Sequence, residues 1–217
     1  MNLLRLVVDG PNYGGKSSLS EMIKNMFPGM TIIEYHDFFH QHIIRQRNSE
    51  IDLYEKIHWA ALKTSERENA LRYLNRRDAA VLKLVSACQY DNILLERFIL
   101  TKFVYAELLL NHDFSKQFQL DEKILVSNRL SLIYVTAPAE TLIQRSIIKN
   151  SKRSIRLRPK TPYHLLDQDT IVRKYDLYEK YFSQLTQLRR IRIDTSFKLD
   201  EIKPRVQNFI NHHTDKN

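Results

Sequence analysis

The sequence of this 217-residue chain predicts an α/β fold in which short strands alternate with helices. The first observation is a set of short apolar runs with the length of buried strands. The second is that segments with apolar residues at helical spacing lie between these runs. The third is a glycine-containing loop that joins the first strand to the first helix. The five predicted strands are residues 3–8, 30–35, 93–95, 130–136 and 190–194.

The loop after the first strand, residues 10–17, has the spacing G-x-x-x-x-G-K-S/T of a phosphate-binding loop, or P-loop. Backbone N–H groups of such a loop cradle phosphates, its lysine reaches the outer phosphates, and its hydroxyl is a ligand of magnesium. Residues 18–27 follow with helical spacing, which places the phosphates at a helix N-terminus. The predicted cofactor-binding residues are Gly10, Pro11, Asn12, Tyr13, Gly14, Gly15, Lys16, Ser17 and Ser18.

Glycine is rare in this chain and is concentrated in that loop. The chain has 4 glycines, and three of them, Gly10, Gly14 and Gly15, lie there. Glycine is favoured where the backbone must approach another group closely or adopt a positive φ. Its use here favours phosphate binding over the alternative, which is a tight structural turn before a helix.

Two carboxylates lie at or near the end of the second predicted strand. They are Glu34 and Asp37, and in an open α/β sheet the carboxyl ends of the strands face the ligand crevice. Either side chain is a candidate base for an acceptor hydroxyl or a candidate partner of magnesium. For Asp37 the alternative is a helix N-cap. Residues 49–89 then have the apolar spacing of two helices.

An acidic and a basic residue, Glu96 and Arg97, lie at the carboxyl end of the third predicted strand. A carboxylate at this position can order the water shell of magnesium or act as a general base. An arginine beside it can hold a phosphate with two hydrogen bonds. The alternative is a buried structural Glu–Arg pair. Residues 101–109 are predicted as a helix behind the crevice.

A strongly basic segment follows the fourth strand and the predicted helix at residues 140–149. No acidic residue occurs between Glu140 and Asp167. We expect residues 146–166 to form a basic lid over polyphosphate, because arginine spreads positive charge over a phosphoryl-transfer transition state. The alternatives are a nucleic-acid contact surface and a solvated loop. The basic residues are Arg145, Lys149, Lys152, Arg153, Arg156, Arg158 and Lys160.

The last part of the chain is predicted to complete the fold. Residues 169–188 carry an aromatic stripe at helical spacing, which is typical of a helix packed on the core. The fifth strand and a closing helix at residues 199–212 follow it. Length and composition favour one domain spanning residues 1–217, with the lid as its mobile part.

Composition restricts the partners and the compartment. The net charge of +9 and the pI of about 9.6 predict anionic partners, either nucleotides or nucleic acid, with solubilising charge as the alternative. The N-terminal apolar run is too short to span a membrane and no cleavage site follows it. One cysteine, Cys88, excludes an internal disulfide framework. We therefore expect a cytoplasmic protein without a membrane partner.

Taken together, these motifs resemble the thymidylate kinase and deoxynucleoside kinase group of P-loop kinases. The resemblance implies a P-loop NTPase-type fold, in which a parallel five-stranded sheet is flanked by helices and carries a basic lid. It also implies ATP and Mg²⁺ as cofactors. The segments that carry the resemblance are residues 10–17, 94–105, 132–145, 175–182 and 191–194.

The same resemblance implies a role for each site residue. Lys16 and Ser17 bind the phosphates of ATP and Mg²⁺. Glu96 serves the metal or the acceptor, and Arg97 holds the acceptor phosphate or hydroxyl. Arg145 and Arg153 are lid arginines. The implied reaction is ATP- and Mg²⁺-dependent phosphoryl transfer to a pyrimidine deoxynucleoside monophosphate or deoxynucleoside.

The acceptor stays open at the level of sequence. Thymidylate kinases usually have Asp where this chain has Glu96, whereas deoxynucleoside kinases usually have Glu. The segment from Glu34 to Asp37 is similar to the Asp-aromatic strand ending of uridine and nicotinamide riboside kinases. One alternative is a kinase acting on a hydroxyl within DNA or RNA, and another is a non-catalytic nucleotide- or nucleic-acid-binding module. A homodimer is a further expectation that the sequence leaves open.

Overall fold

The chain forms a five-stranded sheet in which every strand pair is parallel. A computed structural model describes residues 3–34, 64–88, 92–111, 113–156 and 167–214. The strand order is β2-β3-β1-β4-β5. The strands are β1 (Arg5–Asp9), β2 (Thr31–Glu34), β3 (Ile93–Glu96), β4 (Ser131–Thr136) and β5 (Arg190–Asp194).

Seven α-helices are present in the described parts of the chain, together with a short 3₁₀ helix at Thr64–Glu66. They alternate with the strands, as an open α/β sheet requires. The helices are α1 (Lys16–Met26), α2 (Arg67–Ala87), α3 (Ile99–Leu110), α4 (Ser115–Ser127), α5 (Ala139–Arg156), α6 (Gln168–Gln184) and α7 (Leu199–Thr214).

Alternate residues of each central strand pack into two separate cores. In β1, Val7 belongs to the core on one face, which is built with α2, α3, α4 and α6. Leu6 and Val8 belong to the core on the other face, which is built with α1 and α7. The sheet is therefore covered on both sides, as expected for a parallel sheet whose central strands are apolar at most of their positions.

The structure confirms the predicted fold class and the five strands. Two helix boundaries differ from the expectation. α5 continues to Arg156, through the first part of the segment expected to be the lid, because no glycine or proline interrupts it before Pro159. α6 ends at Gln184, and the buried side chains of Leu185 and Leu188 lie in the connection that follows. No helix in the described residues is long and apolar enough to cross a membrane.

Candidate functional site

The candidate site lies at the carboxyl edge of the sheet, where the strand order changes direction. β1 is hydrogen-bonded to β3 on one side and to β4 on the other. The register pairs Val8 with Glu96, and Asp9 with Tyr134. Such a switch point opens a crevice beyond the strand ends. The end of β1, which leads into the P-loop, therefore lies beside the end of β3.

The P-loop follows β1 in a conformation that depends on glycine. Gly10 has a φ of 152°, and a Cβ at this position would lie 2.0 Å from the carbonyl oxygen of Val135 in β4. Gly15 has a φ of 86° and caps the N-terminus of α1. The loop thus packs tightly on the sheet, and the N-terminus of α1 faces the crevice as a preformed anion site.

Lys16 is buried inside this loop. Its Nζ donates hydrogen bonds to the carbonyl oxygens of Gly10, at 2.8 Å, and Pro11, at 2.6 Å. Burial lowers the pKa of Lys16 well below its usual value, and repulsion from Arg97 lowers it further. A group that is both buried and repelled by a neighbouring cation gains stabilisation when an anion arrives. Lys16 is thus a buried cation held inside the loop, and its role in binding phosphate stays a prediction.

The Ser17 hydroxyl and the Glu96 carboxylate meet at the mouth of the loop. Ser17 Oγ donates to Glu96 Oε1 at 3.0 Å. Paired oxygens of this kind fit Mg²⁺, which usually takes one or two protein oxygens and completes its shell with waters and substrate phosphates. No cluster of three or more His, Cys, Asp or Glu that could enclose a metal ion occurs in the described residues. The residues present therefore fit a magnesium held mainly by phosphates and water.

Asp9, the last residue of β1, was not identified from the sequence as a site residue. It is fully buried, and its carboxylate accepts hydrogen bonds from the backbone N–H groups of Gly10, Phe98 and Thr101, at 2.8, 2.9 and 3.0 Å. The Thr101 hydroxyl donates to Asp9 at 2.5 Å and also lies 2.9 Å from the hydroxyl of Tyr178. Asp9, at the end of β1, therefore caps the N-terminus of α3 and links the P-loop to that helix. A carboxylate that ends an apolar strand is the signal that could have revealed it.

Arg97 is held in a strained turn between β3 and α3. Its φ is 68°, which is uncommon for a residue with a side chain and costs about 1–3 kcal/mol. Its N–H donates to the carbonyl oxygen of Val8 at 2.8 Å, and its Nη1 lies 3.4 Å from Asn12 Oδ1. The hydroxyl of Tyr105 lies 3.4 Å from the same Asn12 oxygen. The guanidinium is thereby directed toward the P-loop.

A second buried lysine, Lys174 of α6, lies in the same cluster. Its side chain is 2% exposed, and its Nζ is 4.6 Å from the centre of the Tyr105 ring. Burial lowers the pKa of Lys174 to about 7, with repulsion from Arg97 as the next cause and attraction to Asp167 opposing it. The sequence analysis treated this helix as core and missed the residue. The signal was available, because Lys174 lies in the buried stripe formed by Ile171, Lys174, Tyr178 and Tyr181.

Arg145 supports the back of the P-loop. It donates to the hydroxyl of Thr195 at 2.8 Å, to the Thr195 carbonyl oxygen at 2.5 Å, and to the carbonyl oxygen of Tyr13 at 3.2 Å. The Thr195 hydroxyl also lies 2.9 Å from the carbonyl oxygen of Gly14. Lys149, one turn further along α5, lies 6.0 Å from the centre of the Tyr13 ring. The start of the basic segment is therefore in contact with the loop, while the role of Arg145 on a transferred phosphoryl group stays a prediction.

The remaining expected site residues are located by the element of the fold to which they belong. Ser18 is exposed in the first turn of α1. Glu34 ends β2 and is in register with Glu96. Arg153 lies within α5. Asp37 and residues 157–166 of the expected lid lie outside the described residues.

Comparisons with known proteins identify the fold. No protein-family model and no curated protein matches the sequence. Among solved structures, deoxyadenosine kinase from M. mycoides with bound dATP has a TM-score of 0.56 and 18% identity, and with bound dCTP a TM-score of 0.54 and 16% identity. Both comparisons cover 96% of this chain and 100% of the other.

Thymidylate kinase from Candida albicans has a TM-score of 0.59 at 12% identity, and the comparison covers 99% of this chain and 94% of the other. The sequence-based resemblance to this kinase group is therefore confirmed at the level of fold.

Proposed function

We propose that this chain is a P-loop kinase that transfers the γ-phosphoryl group of ATP to a pyrimidine deoxynucleoside monophosphate or deoxynucleoside. The observation that carries the proposal is the convergence of Lys16, the Ser17–Glu96 pair and Arg97 at one edge of the sheet. The fold it shares with structures of deoxyadenosine kinase and thymidylate kinase supports a deoxynucleoside or nucleotide acceptor, without distinguishing a pyrimidine base from a purine base.

In this reaction the acceptor hydroxyl oxygen attacks the γ-phosphorus, its proton passes to a carboxylate or to solvent, and the bond from the γ-phosphorus to the bridging oxygen of ADP breaks. The backbone of the P-loop holds the donor phosphates, and Lys16 leaves its two carbonyl partners to contact their outer oxygens. Arg97 orients the acceptor from its position beside the P-loop, where its Nη1 lies 3.4 Å from Asn12 Oδ1. Catalysis then depends mainly on positioning and charge stabilisation.

Ser17 and Glu96 are the residues that would hold magnesium. When bound there, the ion would supply positive charge that neutralises the negative charge developing on the donor phosphates. Their 3.0 Å contact supports a role for Glu96 on the metal side. The proton acceptor is then a different carboxylate, and Glu34 and Asp37 are its candidates.

The test is ATP consumption with Mg²⁺ against nucleosides, nucleoside monophosphates and DNA or RNA oligomers, using wild type and Lys16→Ala. We expect Lys16→Ala to reduce transfer about 10³-fold or more, because it removes the cation nearest the outer phosphates. Lys24→Ala is the matched control, since Lys24 lies on the same helix but is exposed. Circular dichroism of both variants should match wild type.

Full activity of Lys16→Ala would overturn the proposal. Turnover restricted to oligomers would identify a polynucleotide kinase instead, an alternative that the net charge of +9 favours. ATP binding without turnover on any acceptor would identify a non-catalytic binding module.

A further inference from the structure

One set of contacts that shapes the P-loop is given up when the loop works as proposed. Lys16 Nζ donates to the carbonyl oxygens of Gly10 and Pro11, and these hydrogen bonds close the first half of the loop. In the proposed function Lys16 exchanges both carbonyl oxygens for phosphate oxygens. The loop then needs other anchors, because N–H groups stabilise a bound anion most when they are already oriented toward it.

The second half of the loop has such anchors, and they come from α5 and from the residue after β5. Arg145 of α5 donates from Nη1 to the carbonyl oxygen of Tyr13 at 3.2 Å. The hydroxyl of Thr195, which directly follows β5, lies 2.9 Å from the carbonyl oxygen of Gly14. Neither contact involves Lys16, so both persist when that lysine turns to a phosphate.

Thr195 is itself fixed from two sides. Its N–H donates to the carbonyl oxygen of Thr136, the last residue of β4, at 2.8 Å, and its hydroxyl lies 3.0 Å from the same oxygen. Arg145 binds Thr195 twice, from Nη1 to the hydroxyl at 2.8 Å and from Nη2 to the carbonyl oxygen at 2.5 Å. The hydroxyl therefore accepts from Arg145 and has its own proton available for the carbonyl oxygens of Gly14 and Thr136.

The contact between Thr195 and Gly14 also sets the direction of the next N–H group. A trans peptide directs its C=O and its N–H to opposite sides. A Gly14 carbonyl held by Thr195 thus turns the N–H of Gly15 away from Thr195. The side chain of Thr195 packs on Gly15 as well, since a Cβ there would lie 3.3 Å from Thr195 Cγ2. N–H groups of a P-loop are the groups that cradle phosphate.

The conformation of Tyr13 shows why the loop depends on outside support. Its φ of 66° lies in the left-handed region, which is uncommon for a residue with a side chain. Such a conformation persists only where the surrounding structure holds it. The ring of Tyr13 packs against a small cluster formed by Ala137, Leu142 and Ile171, and its carbonyl oxygen is held by Arg145.

We propose that Thr195 and Arg145 form a clamp that keeps the phosphate-binding N–H groups of the P-loop oriented while Lys16 moves to the phosphates. Both are positioning residues, because they act on the ligand through the backbone of Tyr13 and Gly14. The clamp gives Arg145 a role in binding the donor before the reaction, in place of the transition-state role of a lid arginine. The inference rests on the proposed function, since it concerns how the loop binds the donor triphosphate.

The first experiment measures the binding of MgATP and of inorganic tripolyphosphate to wild type, Thr195→Val and Thr195→Ser by calorimetry. Thr195→Val keeps the shape and removes the hydroxyl. It should weaken both ligands about tenfold, the order expected when one hydrogen bond that orders the site is lost. Thr195→Ser should restore most of the affinity, because it keeps the hydroxyl. Thr31→Val is the matched control, since it makes the same change at an exposed threonine in β2.

The second experiment separates the clamp from a transition-state role of Arg145. The clamp predicts that Arg145→Met raises the Kd and the KM for ATP about tenfold and leaves the KM for the acceptor unchanged. The double variant with Thr195→Val should lose little more affinity than either single variant, because the two residues share a hydrogen bond and act as one unit. An arginine that contacts only the transferred phosphoryl group would lower kcat and leave the Kd for ATP unchanged.

The outcomes distinguish this inference from the proposed function. Unchanged binding of both ligands in Thr195→Val would overturn the clamp even if the protein is an active kinase. A loss that falls on ATP alone, or that Thr195→Ser does not restore, would overturn it as well. Weakened tripolyphosphate binding in Thr195→Val would support the clamp even if wild type phosphorylates no acceptor and the kinase proposal fails. Failure of wild type to bind either ligand would overturn both.

Discussion

Lys102, which is largely buried, and Lys174, which is fully buried, have opposite electrostatic surroundings. Lys102 of α3 lies between two carboxylates, with its Nζ 3.0 Å from Asp78 and 2.7 Å from Asp121. Burial alone would lower the pKa of Lys102, but the two carboxylates outweigh it and raise the pKa above its usual value. The Nζ of Lys174, in α6, lies 4.6 Å from the centre of the Tyr105 ring, and burial, followed by repulsion from Arg97, lowers the pKa of this lysine to about 7.

The contrast lies in what sets each pKa: two carboxylates raise that of Lys102 against the effect of burial, whereas burial, followed by the charge of Arg97, lowers that of Lys174. The partners of Lys102 come from α2 and α4, so the ion triad ties three helices together on one face of the sheet. The pKa values of Lys174 and Lys16 are both lowered, by burial first and by repulsion from Arg97 next. Strongly perturbed groups that face a crevice are typical of functional sites.

The largest effect on stability is expected for Lys102→Met. This substitution leaves Asp78 and Asp121 buried without their shared cation, and breaking a buried ion pair from one side costs about 3–5 kcal/mol. Urea denaturation at pH 7 should show this loss in the free energy of unfolding. In the triple variant that also carries Asp78→Asn and Asp121→Asn, much of the loss should be recovered. A loss below about 1 kcal/mol for Lys102→Met alone would place Lys102 in the same class as exposed lysines.

The next effect is a dependence of stability on pH that Lys174 contributes. Between its folded pKa of about 7 and its unfolded value near 10.5, the unfolded chain holds a proton on Lys174 that the folded chain has released. Stability therefore rises with pH in this window, by up to about 1.4 kcal/mol per pH unit, and the contribution is constant below pH 7.

The measurement is the free energy of unfolding of wild type minus that of Lys174→Met, in which the contributions of the other titrating groups cancel. This difference should increase from pH 7 to pH 10. Below pH 7, where the charged amine is buried at a cost, Lys174→Met should be at least as stable as wild type. A difference that is flat with pH would show that the lysine keeps its proton in the folded chain.

Much of the fold follows from sequence because the strands are short, apolar and bounded by polar residues. β4 and β5 lie within one residue of their predicted ends. α4, by contrast, was not predicted. Its buried residues are Phe118, Glu122 and Leu125, so a carboxylate interrupts the apolar stripe that would have indicated a helix. Glu122 is buried because its Oε1 accepts three backbone N–H groups, those of residues 186–188, and that long-range arrangement leaves no local pattern.

The candidate site shows the same division between local and long-range information. The P-loop is a contiguous motif, and its spacing predicts its backbone. The roles of Asp9 and Lys174 depend on contacts across β1, α3 and α6, with sequence separations of up to 92 residues for the Asp9–Thr101 pair. A buried lysine and an exposed one have the same letter in the sequence. Periodicity can indicate that Lys174 lies on the buried side of its helix. It cannot indicate that Arg97, 77 positions earlier in the chain, contributes to lowering the pKa of Lys174.

The smallest effect is expected for Lys180→Met, which tests whether burial is what distinguishes these lysines. Lys180 contacts Glu107 at 2.9 Å and Asp113 at 3.4 Å, and burial opposes the rise in its pKa that these carboxylates cause. Its side chain is about one third exposed, so solvent screens the pair and the substitution should cost less than about 1 kcal/mol. Glu107 also keeps a 2.6 Å hydrogen bond from Tyr181 when the lysine is absent.

Urea denaturation at 50 mM and 500 mM NaCl should show a small loss of unfolding free energy for Lys180→Met that shrinks further with salt, whereas the loss in Lys102→Met should change little. A cost for Lys180→Met comparable to that for Lys102→Met would show that the number of carboxylate partners, and not their burial, determines the contribution of each lysine.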